Sequence, residues 1–107
     1  MKVIEVTSRG FRFNVVRDGI EVGRAYLYIM TNDLHDKPFG FMEDVWVKPD
    51  YRGKHIGSEL VEAVVAQARS EQCYKLIATS RHSRPKVHLL YQRLGFTNHG
   101  VEFRMDF

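Results

Sequence analysis

The 107-residue chain has a single cysteine, Cys73, so it can form neither an internal disulfide nor a cysteine-cluster zinc site. That scarcity points to a reducing compartment, and a cytoplasmic location is expected. No apolar run approaches the length of a transmembrane helix, and Met1 to Thr7 lacks the charged start and long apolar core of a secretory leader, so neither membrane insertion nor export is expected. The five histidines, His35, His55, His82, His88 and His99, show no i, i+4 pair or other metal-ligand spacing, and no metal is expected. There is no G-x-S-x-G elbow, and Cys73 has no histidine partner near it in sequence, which argues against a covalent nucleophile. Both the P-loop order and the G-x-G-x-x-G fingerprint are absent. Sixteen Lys and Arg against thirteen Asp and Glu leave only +3. That excess suits an anionic ligand but falls short of a dedicated nucleic-acid surface.

What is present describes one globular unit. Hydrophobic residues at 44% and charged residues at 27% support a folded core, and the length allows a single domain over residues 1–107. The first half reads as strands. Lys2 to Thr7 alternates polar and apolar, and Phe11 to Val16 does so with aromatic and β-branched residues. Asp18-Gly19 before Ile20-Glu21-Val22 is a strong hairpin signal. Arg24 to Met30 continues as a third strand, Thr31 to Pro38 is a polar loop, and Gly40 to Lys48 is a fourth strand ending at Pro49.

The second half changes period. Leu60, Val61, Val64, Val65 and Ala68 fall on one stripe of a helix from about Ile56 to Ser70. Tyr74 to Ser80, with Leu76-Ile77-Ala78 inside it, reads as a buried strand. Ser83 or Arg84 can cap a second helix that has Pro85 at its first position and Val87, Leu90, Tyr91 and Leu94 on its apolar face; Gly95 stops it. Val101 to Phe107 alternates again as a last strand. The expectation is an α+β fold: a mixed, mostly antiparallel sheet of about six strands with two main helices.

The stretch richest in chemistry is Asp50-Tyr51-Arg52-Gly53-Lys54-His55-Ile56-Gly57-Ser58, a glycine-rich, basic turn leading from a strand into a helix. The unpaired N–H groups of a helix's first turn point toward an anion, and glycines let that anion approach the backbone. Taken alone, the same residues equally describe a tight turn with solvated charges.

Together with the strand before it and the segment Leu90-Tyr91-Gln92-Arg93-Leu94-Gly95-Phe96 after it, this turn resembles the GCN5-related N-acetyltransferase (GNAT) family over Phe39 to Phe96. The family's pyrophosphate signature is Arg or Gln, two variable residues, Gly, one variable residue, then Gly or Ala. Arg52 and Gly57 match in identity and spacing, whereas His55 stands where the first glycine is usual. If that position needs a positive φ, histidine is among the less disfavoured substitutes, and its imidazole could touch a phosphate or simply point outward.

The resemblance implies an acetyl-CoA-dependent transfer to a primary amine on a small molecule, protein or peptide. It places the pyrophosphate on Arg52, Gly53, Lys54, His55, Ile56, Gly57 and Ser58. The pantetheine arm would lie against the backbone of Val45, Trp46 and Val47, where one N–H could polarise the thioester carbonyl. Glu43 becomes the candidate general base, acting directly or through a water, with Asp44 next; strand alternation would put the two on opposite faces. Tyr91 matches the residue that hydrogen-bonds or protonates the leaving thiolate, although alone it would read as an amphipathic core tyrosine.

The usual helices between the family's first two strands are missing, since only Ser8-Arg9-Gly10 separates Thr7 from Phe11. The acceptor side is therefore either open or completed by a second subunit in a homodimer. A non-catalytic acyl-CoA-binding regulatory module is the rival reading. A small RNA-binding domain using Tyr26 and Tyr28 is a third, without any RNA motif to support it. Charge is divided along the chain: residues 18–44 sum to −4 and residues 48–93 to +5. The basic half coincides with the cofactor segments, and the acidic half suits a cationic amine.

Overall fold

The computed structural model describes residues 1–107. Strands β1 (Arg9–Arg17), β2 (Ile20–Met30) and β3 (Phe39–Val47) form an antiparallel meander, followed by a short 3-10 turn at Pro49–Tyr51 and helix α1 (Ile56–Ser70). Strand β4 (Leu76–Ala78) then pairs parallel to β3, and helix α2 (Pro85–Arg93) follows. The sheet order is β1-β2-β3-β4.

The β1–β2 hairpin turns at Asp18 and Gly19, both at positive φ (54° and 77°), which is the geometry an Asp-Gly pair favours between twisted strands. The apolar stripe of α1 lies on the sheet. Ile56, Leu60, Val61, Val64 and Ala68 pack against Val15, Val22, Ala25, Leu27, Ile29 and Met42, and these eleven residues are the buried core. Val65, at the edge of the stripe, is half-buried. The helix ends where Gln72 enters the left-handed region (φ 62°) and the Cys73 N–H donates to the Ala68 carbonyl. Glycine is required where α1 crosses β2, because a Cβ at Gly23 would sit 2.8 Å from Ile56 Cγ2.

The sheet has four strands rather than the six expected. Ile20–Val22 and Arg24–Met30 are one continuous strand, β2. Lys2–Thr7 and Val101–Phe107 form no strand, and Val3, Ile4, Val6, Val101, Phe103, Met105 and Phe107 are exposed. Alternation gives a segment two faces but supplies no partner for its backbone N–H and C=O groups. Neither segment pairs with β1 or with β4, which is only three residues long. Tyr74 and Ser80 also fall outside β4. Arg84 is the N-cap residue of α2, with no side-chain cap bond from it or from Ser83. No helix is long and apolar enough to cross a membrane.

Candidate active site

Strand β3 is held on both sides only in its first half. Gly40, Phe41 and Met42 pair with Leu76, Ile77 and Ala78, after which β4 ends and Glu43 to Val47 keep β2 as their sole neighbour. At the point of departure β3 bulges. Arg24 faces Trp46 and Tyr26 faces Glu43, so Ala25 stands opposite both Asp44 and Val45, and Asp44 takes φ 52°. The gap between β3 and the chain leaving β4 opens into a groove of about 1180 Å3, closed by the first turn of α1 and by α2.

The α1 end of this groove is an uncapped helix start. His55 is the N-cap residue in the left-handed conformation (φ 64°, ψ 13°), and its side chain makes no capping bond. The first helical bond runs from the Glu59 N–H to the His55 carbonyl, so the N–H groups of Ile56, Gly57 and Ser58 have no partner within the helix. Gly53 is also at positive φ (78°), with open space where a side chain would start. A Cβ at Gly57 would meet only Leu90 and Val47, at 3.8 and 3.9 Å. These open amides, their positive dipole end and the nearby Arg52, Arg81, Arg84 and Lys86 suit a diphosphate. The positive φ anticipated for His55 is therefore observed, and the imidazole borders the groove.

The other candidates divide as follows. Glu43, Asp44, Val45, Trp46, Val47, Arg52, Gly53, Ile56, Gly57, Ser58 and Tyr91 all line the groove. Lys54 does not: its ammonium lies 5.0 Å over the Tyr51 ring, beside a smaller cleft of about 530 Å3 that also touches His55, Ser58 and Arg93. Arg52 Nε donates to the Val47 carbonyl at 3.2 Å, which ties the turn to the end of β3 and occupies one backbone acceptor expected to face the pantetheine arm.

Tyr91 stands on α2 against Phe96, ring centroids 5.4 Å apart, and packs on the core. Burial raises its phenol pKa, the neighbouring Glu43 carboxylate raises it further, and Arg84 opposes them. The phenol therefore stays protonated at neutral pH and can donate. Asp44 is engaged elsewhere. Arg24 Nε and an Nη donate to its two carboxylate oxygens at 2.9 and 3.2 Å, and that pairing lowers the carboxyl pKa. The bulge breaks the alternation assumed for Glu43 and Asp44, and the Asp44 carboxylate is occupied by Arg24. Cys73 has a raised thiol pKa, from burial first, and borders neither cleft.

Sequence reasoning missed Arg24, Phe41, Thr79 and Ser80. The two small polar residues follow Leu76-Ile77-Ala78 directly, and that abrupt change marks a strand's end opening on solvent. Arg24 carried no signal, because its role arises only once β2 pairs with a bulged β3.

The family model described as Acetyltransferase (GNAT) family matches residues 4–96. The chain belongs to the GNAT acetyltransferase family. It is 40% identical over 87 residues to a glucosamine 6-phosphate N-acetyltransferase of Trypanosoma brucei brucei, covering 79% of this chain and 56% of that protein. It is 33% identical over 93 residues to an aminoglycoside N(6')-acetyltransferase type 1 of Stenotrophomonas maltophilia, covering 82% and 61%. Among solved structures, an acetyltransferase of Trypanosoma brucei superposes with a TM-score of 0.75 at 34% identity, covering 83% of this chain and 61% of that one. The glucosamine-6-phosphate N-acetyltransferase of Arabidopsis thaliana, at 23% identity, a TM-score of 0.85 and coverage of 92% and 67%, shares the fold. This GNAT chain thus spans little more than half the length of the curated relatives it matches.

Proposed function

We propose that residues 1–107 form a single acetyltransferase unit that moves an acetyl group from acetyl-CoA to a primary amine by direct attack. The observation that carries this reading is the pairing of two groove features: an uncapped, glycine-lined helix start at one end, and Glu43 beside the protonated Tyr91 at the other. Two relatives support the reading by their names, a glucosamine 6-phosphate N-acetyltransferase and an aminoglycoside N(6')-acetyltransferase, both of which place the acetyl group on nitrogen. Nothing in them favours a non-catalytic module.

The first-turn N–H groups of α1, with Arg52, Gly53, His55, Ile56, Gly57 and Ser58, bind the cosubstrate's diphosphate. The backbone edge of Val45 and Trp46 that β4 does not cover takes the arm as an added strand and offers an N–H to the developing oxyanion. Bound acetyl-CoA supplies the activated acyl group on a good leaving thiolate. An alkylamine with a pKa near ~10 arrives protonated, and Glu43, directly or through a water, takes its proton before attack. Tyr91 donates its phenolic proton or a hydrogen bond to the departing sulfur.

The test is release of CoA thiol from acetyl-CoA across polyamine, aminoglycoside, amino-sugar, amino-acid and peptide acceptors. Acceptor-dependent release supports the proposal. Calorimetric binding of acetyl-CoA with no turnover on any amine would overturn it in favour of a binding module.

A further inference from the structure

The bulge in β3 needs a restraint, because Asp44 is an L-residue at φ 52° in a half-strand that β4 no longer supports. Arg24 spans it. Its guanidinium lies 4.8 Å over the indole of Trp46, its register partner across the strands, while the fork grips both oxygens of Asp44. Trp46 and Asp44 are the two residues flanking Val45, which lines the groove. Beneath the bulge Ala25 is fully buried in the core. Gly23, the residue before Arg24 on β2, lies against Ile56 at the start of α1.

Resting on the acetyltransferase reading, we propose that Arg24 is a positioning residue for acyl transfer: it clamps the bulge on both sides of Val45 and so fixes the direction of the Val45 peptide N–H. Lysine cannot replace it. A single ammonium can meet one carboxylate oxygen, but it cannot grip two while lying flat on an indole.

The test compares Arg24→Met and Arg24→Lys with the unaltered protein by three measurements. Backbone chemical shifts of Asp44 and Val45 in the free protein are expected to leave the left-handed pattern in both variants. Calorimetric affinity for CoA is expected to fall by less than turnover does, since the helix cradle is untouched while the Val45 and Trp46 backbone that takes the arm shifts. Turnover is expected to fall about tenfold, about 1.4 kcal/mol in the barrier, with acceptor KM within twofold. In Arg24→Met/Asp44→Gly, glycine adopts the positive φ without strain, and part of the lost turnover is expected to return. Unchanged shifts, a raised acceptor KM with kcat intact, or no recovery in the double variant would each overturn the proposal. If the unaltered protein turns over no amine, the acetyltransferase reading falls separately, and the shifts in the free protein still decide whether Arg24 holds the bulge.

Discussion

Gly23 on β2 lies directly under Ile56, the first residue of α1, so closely that a single added carbon would sit 2.8 Å from Ile56 Cγ2 and 3.0 Å from Leu60 Cδ1. Ile56 is buried, and its Cγ2 hangs from a branched Cβ with little rotamer freedom. The clash in Gly23→Ala therefore moves the helix start rather than a side-chain tip. The variant is expected to lose about 1–3 kcal/mol of stability, the usual cost of overpacking, measured by denaturant unfolding. CoA affinity should fall with it, because the displaced turn carries the cradle amides. A stable variant with unaltered affinity would show that the helix start is not rigidly seated on β2.

His55 stands in a conformation that costs an L-residue about 1–2 kcal/mol. Replacement by glycine removes that strain but adds about 0.5–1 kcal/mol of unfolded-chain entropy, so His55→Gly is expected to change stability by under about 1 kcal/mol. Valine, branched at Cβ, is expected to be clearly worse than both. Thermal melts of the three proteins give the order. CoA titrations on His55→Gly then separate an imidazole that touches phosphate, which predicts weaker binding, from one that merely tolerates the backbone.

How much of this was readable beforehand depends on whether the information was local. Helix α1 was legible because its stripe, Leu60 to Ala68, is a strong period bounded by turn residues, and the Asp18-Gly19 hairpin rests on two residues that favour positive φ. The terminal segments misled because Val101, Phe103, Met105 and Phe107 alternate correctly yet have no partner edge. In the site, the cradle was legible as glycine and base before a helix. The Asp44 bulge was not, since it follows from β4 ending opposite Met42 while β2 continues, a fact about pairing that no residue in Glu43-Asp44-Val45 announces.

Tyr91→Phe removes one hydroxyl from a half-buried ring and leaves its packing on Phe96 in place. Turnover is expected to drop about 10²-fold or more, in keeping with loss of a positioned proton donor, while the CoA dissociation constant stays within twofold. Because the folded-state phenol pKa is raised, by burial and then by Glu43, the native protein keeps this proton to higher pH than the unfolded chain. The associated stability is complete below about pH 10, the unfolded value, and is lost as pH rises through the folded one. Tyr91→Phe should therefore flatten the alkaline loss of stability seen in melts above pH 10. Equal turnover in the variant would remove Tyr91 from the mechanism.

Glu43 is separable from Asp44 by charge-neutral exchange. Asp44 is committed to Arg24, so Asp44→Asn breaks a salt bridge at the bulge, whereas Glu43→Gln leaves that salt bridge intact and removes a carboxylate's basicity and charge. With an alkylamine acceptor at neutral pH, Glu43→Gln is expected to lower turnover by 10²-fold to 10⁴-fold, the range of a positioned general base. The deficit should not be constant with pH. As pH approaches the amine's own pKa near ~10, solvent supplies the neutral amine and the base becomes dispensable, so the ratio of unaltered to variant turnover should shrink steadily. Glu43→Gln also removes the negative charge that raises the Tyr91 pKa, so the phenol should ionise at lower pH in the variant, which sets the upper end of the usable range. The measurement is kcat against pH from 6.5 to about 9.5 for both proteins. A pH-independent ratio would mean that Glu43 shapes the groove without moving the proton.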